Sequence, residues 1–80
     1  MRYQVLVRLK PGVLDVQGKA VETGLRDGKF SGISNVRVGK VIELDLDDGL
    51  SAETARQKID EICKALLANT VIEQYEIKEA

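Results

Sequence analysis

Enzyme chemistry commonly starts from histidine, cysteine or paired carboxylates, and this chain offers little of each. It has no histidine, the commonest general base and metal ligand. Its one cysteine, Cys63, cannot form an internal disulfide. Cys63 falls beside the apolar positions Ile59, Ile62 and Leu66, and reads as a buried, inert thiol. Glu43, Asp45, Asp47 and Asp48 form an acidic run, which strand alternation followed by a turn accounts for without a cation. No carboxylates pair in a way that suggests a glycosidase or a two-metal centre. Gly24, Gly28, Gly32 and Gly39 match neither the P-loop nor the dinucleotide fingerprint. The three aromatics, Tyr3, Phe30 and Tyr75, are too few and too scattered for base stacking. The expectation is a chain with no catalytic residue, metal or cofactor of its own.

What remains is polar residues in conformationally demanding places. Arg37-Val38-Gly39-Lys40 sets two cations around a backbone bend. It reads either as charge on a strand surface or as an interface or phosphate contact. Asp15-Val16-Gln17-Gly18 sits at a helix start, where an aspartate accepts hydrogen bonds from unpaired backbone N–H groups.

The elements that must position these residues follow from periodicity. From Arg2 to Lys10, Tyr3, Val5, Val7 and Leu9 point one way. Arg2, Gln4, Arg8 and Lys10 point the other, with Leu6 the exception, so this is a half-buried strand. Pro11-Gly12 ends it. A helix is predicted from Asp15 to Asp27, with Leu14, Gly18, Val21 and Leu25 on one face and Gly28 as its stop. Gly18 and Gly24 each cost about 1 kcal/mol relative to alanine. Either the helix is marginal or something packs against its backbone there. Lys29 to Ile33 is a loop.

Ser34 to Asp47 reads as one long extended segment, with Val36, Val38, Ile42, Leu44 and Leu46 on one face and Asn35, Arg37, Glu43 and Asp45 on the other. It is more than twice the usual strand length of about 5–6 residues, so unpaired backbone would invite another chain. Gly39 suggests a bend or bulge. With a straight register Lys40 falls on the apolar face, and a bulge would turn it outward. After the turn Asp47-Asp48-Gly49, Ser51 caps a second helix with Glu53 in its first turn. Ala55, Ile59, Ile62 and Leu66 form its apolar stripe. Arg56 with Asp60, and Asp60 with Lys64, are helical neighbours. Asn69 is predicted to end the helix in the left-handed conformation. Val71, Tyr75 and Ile77 form one face of a last strand, with Ile72 on the other.

The predicted fold is α+β: a two-layer sandwich, β-α-β-α-β, with one long bent central strand and both helices on one face of the sheet. It is related to the ferredoxin-like plan. Residues 1–80 make one domain. A composition of 44% hydrophobic and 31% charged residues argues against disorder. The net charge of -1 argues against nucleic acid as a partner. No apolar run approaches the roughly 20 residues that cross a bilayer. Met1-Arg2-Tyr3-Gln4 leads into a strand rather than a secretory leader, so the expected location is the cytoplasm. A thin aliphatic core without disulfide or metal leaves oligomerisation as a source of stability.

The same segments resemble the PurS family, the small subunit of phosphoribosylformylglycinamidine synthase. The resemblance rests on Leu9-Lys10-Pro11-Gly12-Val13-Leu14-Asp15, Gln17-Gly18-Lys19-Ala20-Val21, Val36-Arg37-Val38-Gly39-Lys40, and Leu66-Leu67-Ala68-Asn69 leading into Val71-Ile72-Glu73-Gln74-Tyr75. It spans nearly the whole chain. Val16 and Thr70 depart from it, since the family usually or often has proline at these places.

The resemblance implies a homodimer or dimer of dimers, bound to a large ATP-binding synthetase (PurL) and a glutaminase (PurQ). ATP and Mg would sit on the partner synthetase. The complex would convert formylglycinamide ribonucleotide, glutamine and ATP to the amidine, with this chain bridging the larger ones and helping ammonia pass between them. Arg37, Gly39 and Lys40 would then meet the synthetase, Asp15, Gln17 and Gly18 would form a second contact, and Asn69 would join the partner interface. Two other readings stand beside it. One is a regulatory small-molecule-binding domain resembling ACT modules, which would need four strands. The other is an RNA-binding module, disfavoured by charge and aromatics.

Overall fold

Alternation of apolar and polar residues sets the first strand. In the computed structural model, which describes all 80 residues, β1 runs from Arg2 to Leu9. It buries Tyr3, Val5 and Val7 and turns Arg2 and Arg8 outward. β1 is the middle strand of a three-stranded antiparallel sheet. β2 (Lys40–Asp45) and β3 (Glu73–Glu79) flank it. Val5 stands opposite Ile42 on one side and Ile77 on the other, and Val7 stands between Lys40 and Tyr75. The inner face is therefore aliphatic at its centre. On the outer face Arg2 pairs across the strands with Glu43 and Asp45, at 2.6 and 3.0 Å.

α2 (Ala52–Ile62) covers the inner face. Ser51 caps it, its Oγ accepting from the Thr54 N–H at 3.1 Å, with Glu53 in the first turn. A π-helical turn, Cys63–Leu67, extends it, closed by the Ala68 N–H donating to the Cys63 carbonyl, five residues back. Ala55, Ile59 and Cys63 keep the regular spacing of four, but the wider turn rotates less per residue, so the next buried position falls five further on, at Ala68. Ile62 is only half-buried and Leu66 is 82% exposed, so the predicted stripe through these two is corrected. Ala68 is extended (φ -132°) and ends the helix. The predicted left-handed Asn69 is not observed. Asn69 instead shapes the turn before β3, its side chain accepting from Val71 N–H and its carbonyl from Glu73 N–H. Val71 and Ile72 lie in that turn, outside the strand.

The two-layer α+β order holds, but one helix makes the second layer, not two. α1 (Val16–Asp27) projects from the end of the sheet. No side chain from Arg8 through Val41 joins the core. Leu14 and Val21, expected on a packed face, are 70% and 46% exposed, and only Gly18 of that face is buried. The Cα radius of gyration is 16.1 Å, against about 12 Å for a compact domain of this length.

The long strand is also shorter than predicted. Only Lys40–Asp45 pairs in the sheet, as an edge strand. Residues 34–39 stay outside it because side chains of α1 and its cap, not a neighbouring strand, take the N–H groups of Val36 and Val38. Asn35, at φ +56°, breaks the extended run. Lys40 keeps the straight register opposite Val7, so no bulge turns it, and it is exposed at the open end of the apolar face.

Candidate functional site: the joint between the first helix and the sheet

An aspartate before a helix needs only one oxygen to cap it. Asp15 does this with Oδ1, which accepts the Gly18 N–H at 2.7 Å. Its second oxygen, Oδ2, accepts the Val38 N–H at 2.7 Å, 23 positions away. The carboxylate is 4% exposed and lies 3.8 Å from the Arg37 guanidinium. The Gly18 and Val38 N–H groups, with Arg37 behind them, hold it below the ordinary carboxylate range.

Arg37 donates in turn to the carbonyls of Val13 (3.2 Å) and Lys10 (3.3 Å). It thus ties the chain leaving β1 to the chain returning toward β2. About two helical turns along from Asp15, Glu22 Oε1 accepts the Val36 N–H at 3.1 Å. That hydrogen bond, chiefly, lowers its pKa, with Lys19 and Arg26 contributing. The strap of residues 34–38 is therefore fastened to α1 and its cap by two carboxylates. Gly18 lets it lie close: a Cβ there would sit 2.3 Å from the Val36 carbonyl oxygen. This decides between the two readings of Gly18 in favour of close backbone packing. Gly24, with nothing within 4 Å, is the residue that merely weakens the helix.

Of the predicted site residues, Asp15, Gly18 and Arg37 converge on this joint. Gly39, where a Cβ would lie 2.6 Å from the Val7 carbonyl oxygen, presses the strap against β1. Gln17 and Lys40 both line an adjacent open groove of about 270 Å³, with Val7, Leu9, Val38 and Glu73. A second groove of about 450 Å³ lies between Arg8 and Arg37. Asn69 stands apart from the joint: its hydrogen bonds all fall within residues 69–73. The departures from the family pattern are mild here. Val16 is the first helical residue and is 70% exposed. Thr70 offers its carbonyl to Lys10 Nζ at 2.7 Å.

Glu22 was not singled out from the sequence. Its signal was available: Asp15, Gly18 and Glu22 follow spacings of three and four, which puts two acids on either side of a glycine on one helical face. No group of three or more acidic, cysteine or histidine side chains could hold a metal ion, and no helix is long and apolar enough to cross a membrane.

These features define a small α+β module whose polar joint holds backbone in place rather than presenting a reactive group. Residues 2–80 match the PurS family, described as phosphoribosylformylglycinamidine (FGAM) synthase, and the chain belongs to that family. The PurS subunit from Synechocystis sp. is 50% identical over 72 residues, covering 90% of this chain and 71% of that one. The Bacillus subtilis PurS subunit is 40% identical over 80 residues, covering 98% and 93%. Among solved structures, that of PurLQS from Thermotoga maritima contains a chain superposing with a TM-score of 0.90 at 30% identity, covering 99% of this chain and 95% of that one.

Proposed function

We propose that this PurS-family chain works in the cytoplasm as the bridging small subunit of a glutamine- and ATP-dependent FGAM synthase, docking between a large synthetase (PurL) and a glutaminase (PurQ) and helping ammonia pass between them. The observation that carries this reading is the end-to-end match to a chain of the Thermotoga maritima PurLQS structure. The ACT-like alternative needs a fourth strand, and the sheet has three.

Within this reading Arg37 and Lys40, both exposed, contact the synthetase. Asp15 and Gly18 are buried, so they act on that contact by shaping it rather than touching it. ATP and Mg bind the synthetase. The chain works as a homodimer or dimer of dimers. Supporting this, only 9 of 80 residues are buried, a small core for a chain that must fold alone.

The test is reconstitution. The chain is mixed with cognate synthetase and glutaminase, and glutamine-dependent ADP formation is followed with the ribonucleotide substrate. Activity that depends on adding the chain supports the reading, and full activity without it overturns it. Light scattering at micromolar concentration tests the assembly, which a monomeric mass would contradict.

A further inference from the structure

α1 and the strap behind it form an arm that contributes nothing to the hydrophobic core. Two chain crossings join the arm to the sheet. One runs from the end of β1 to Asp15, and the other runs from Val38 through Gly39 into β2. A helix held only by two peptide crossings could swing, because each crossing contributes soft φ/ψ rotations. Two links oppose that swing, and a third makes the arm one piece. The Asp15 carboxylate is bonded on one oxygen to the helix, at Gly18 N–H, and on the other to Val38 N–H, two residues before β2 begins. The two oxygens share one planar carbon, so they hold the helix start against the chain that leads into the edge strand. Arg37 joins the two crossings through the Lys10 and Val13 carbonyls. Glu22, about two turns along from Asp15, fastens the strap to α1.

We infer that Asp15 is the positioning residue that sets the angle of the α1 arm against the sheet, and thereby the surface this chain offers to the rest of its complex. The inference rests on the bridging role proposed above. It differs from a simple cap. A cap uses one oxygen and acts within its own helix, whereas the second oxygen of Asp15 acts between elements.

Asp15→Asn separates the two roles. Asparagine caps as well as aspartate, so Oδ1 still accepts the Gly18 N–H. Its Nδ2 then faces the Val38 N–H donor to donor, and the link is lost. Gly18→Ala loosens the same joint from the other side, because its Cβ would collide with the Val36 carbonyl.

The experiment has two arms. In the free chain, amide exchange is measured at Gly18, Val38, Val5 and Ile59. The expected result for Asp15→Asn is that Val38 exchanges at least about tenfold faster, while Val5 and Ile59 keep wild-type protection. In the reconstituted complex, ADP formation is titrated against the chain. The concentration for half-maximal activity rises about tenfold for Asp15→Asn and for Gly18→Ala, while the plateau falls less than twofold. Wild-type exchange at Val38 in Asp15→Asn overturns the link. Faster exchange with an unchanged half-saturating concentration overturns the positioning role. If the wild-type chain itself gives no activity, the bridging role fails, and the exchange arm still decides whether Asp15 holds the joint.

Discussion

The α-carbon of Gly39 faces the Val7 carbonyl so closely that a methyl group on it would lie 2.6 Å from the carbonyl oxygen. That oxygen belongs to a strand in the middle of the sheet, so it cannot step aside cheaply. Gly39→Ala is expected to cost about 1–3 kcal/mol, as overpacking does. Gly24→Ala is the counterpart. Open space surrounds Gly24 inside a helix, so alanine there should stabilise by about 0.5–1 kcal/mol. Thermal melts decide both, since 1 kcal/mol moves Tm by about 4–8 °C in a domain of this size. Equal shifts of one sign would sink the reading of Gly39 as a point of contact.

The strap should be acid-sensitive. Hydrogen bonds from Gly18 and Val38 hold Asp15 below its ordinary value of 3.8, and one from Val36 holds Glu22 below 4.5. A carboxylate whose pKa falls on folding stabilises the folded state above its unfolded pKa and loses that contribution as pH drops through the folded value. The strap is therefore fully held at neutral pH and comes loose below the range 3.8–4.5. The charges facing these acids are Arg37 for Asp15, and Lys19 and Arg26 for Glu22. Amide shifts of Val36 and Val38 followed into acid should titrate below those values. In Asp15→Asn the Val38 step should vanish and the Val36 step remain.

Much of this architecture is legible in the chain because it is local. Asp15 and Ser51 cap, Asp47-Asp48-Gly49 turns, and the alternation from Tyr3 to Leu9 marks the inner face. What failed was everything that depends on who pairs with whom. Alternation from Val36 to Leu46 says that the backbone is extended, but not that Asp15 and Glu22 will claim the N–H groups of Val36 and Val38. Leu14, Val21 and Leu25 say that α1 has an apolar face, not that this face stays open. The joint is half visible: Asp15, Gly18 and Arg37 stand out as polar groups and glycine at backbone breaks, while Glu22 lies in mid-helix with no such break beside it.

The π-helical turn makes a prediction that separates Ile59 from Leu66, two positions on the stripe drawn by simple periodicity. Ile59 is fully buried, whereas Leu66 is 82% exposed. Ile59→Ala should cost about 2–5 kcal/mol, combining lost transfer energy with a cavity. Leu66→Gln should stay within about 0.5 kcal/mol, as surface substitutions do. Urea unfolding at matched chain concentration measures both. A large loss at Leu66 would restore the regular stripe or show that a second copy covers that position.

Cys63 opens the π-helical turn. Four residues after Ile59, its thiol lies fully inside the core, as its place beside the apolar positions predicts. Burial raises its pKa, with the nearby Asp60 charge adding to the effect. The thiolate is the reactive form, so both the raised pKa and the lack of access suppress reaction. In the native chain at neutral pH, Cys63 should react with a disulfide reagent orders of magnitude more slowly than in the urea-unfolded chain, at a rate set by opening of the core. Reaction in the folded chain at the rate of a free thiol would place Cys63 at the surface. It would also contradict the buried stripe Ala55, Ile59 and Cys63 that seats α2 on the sheet.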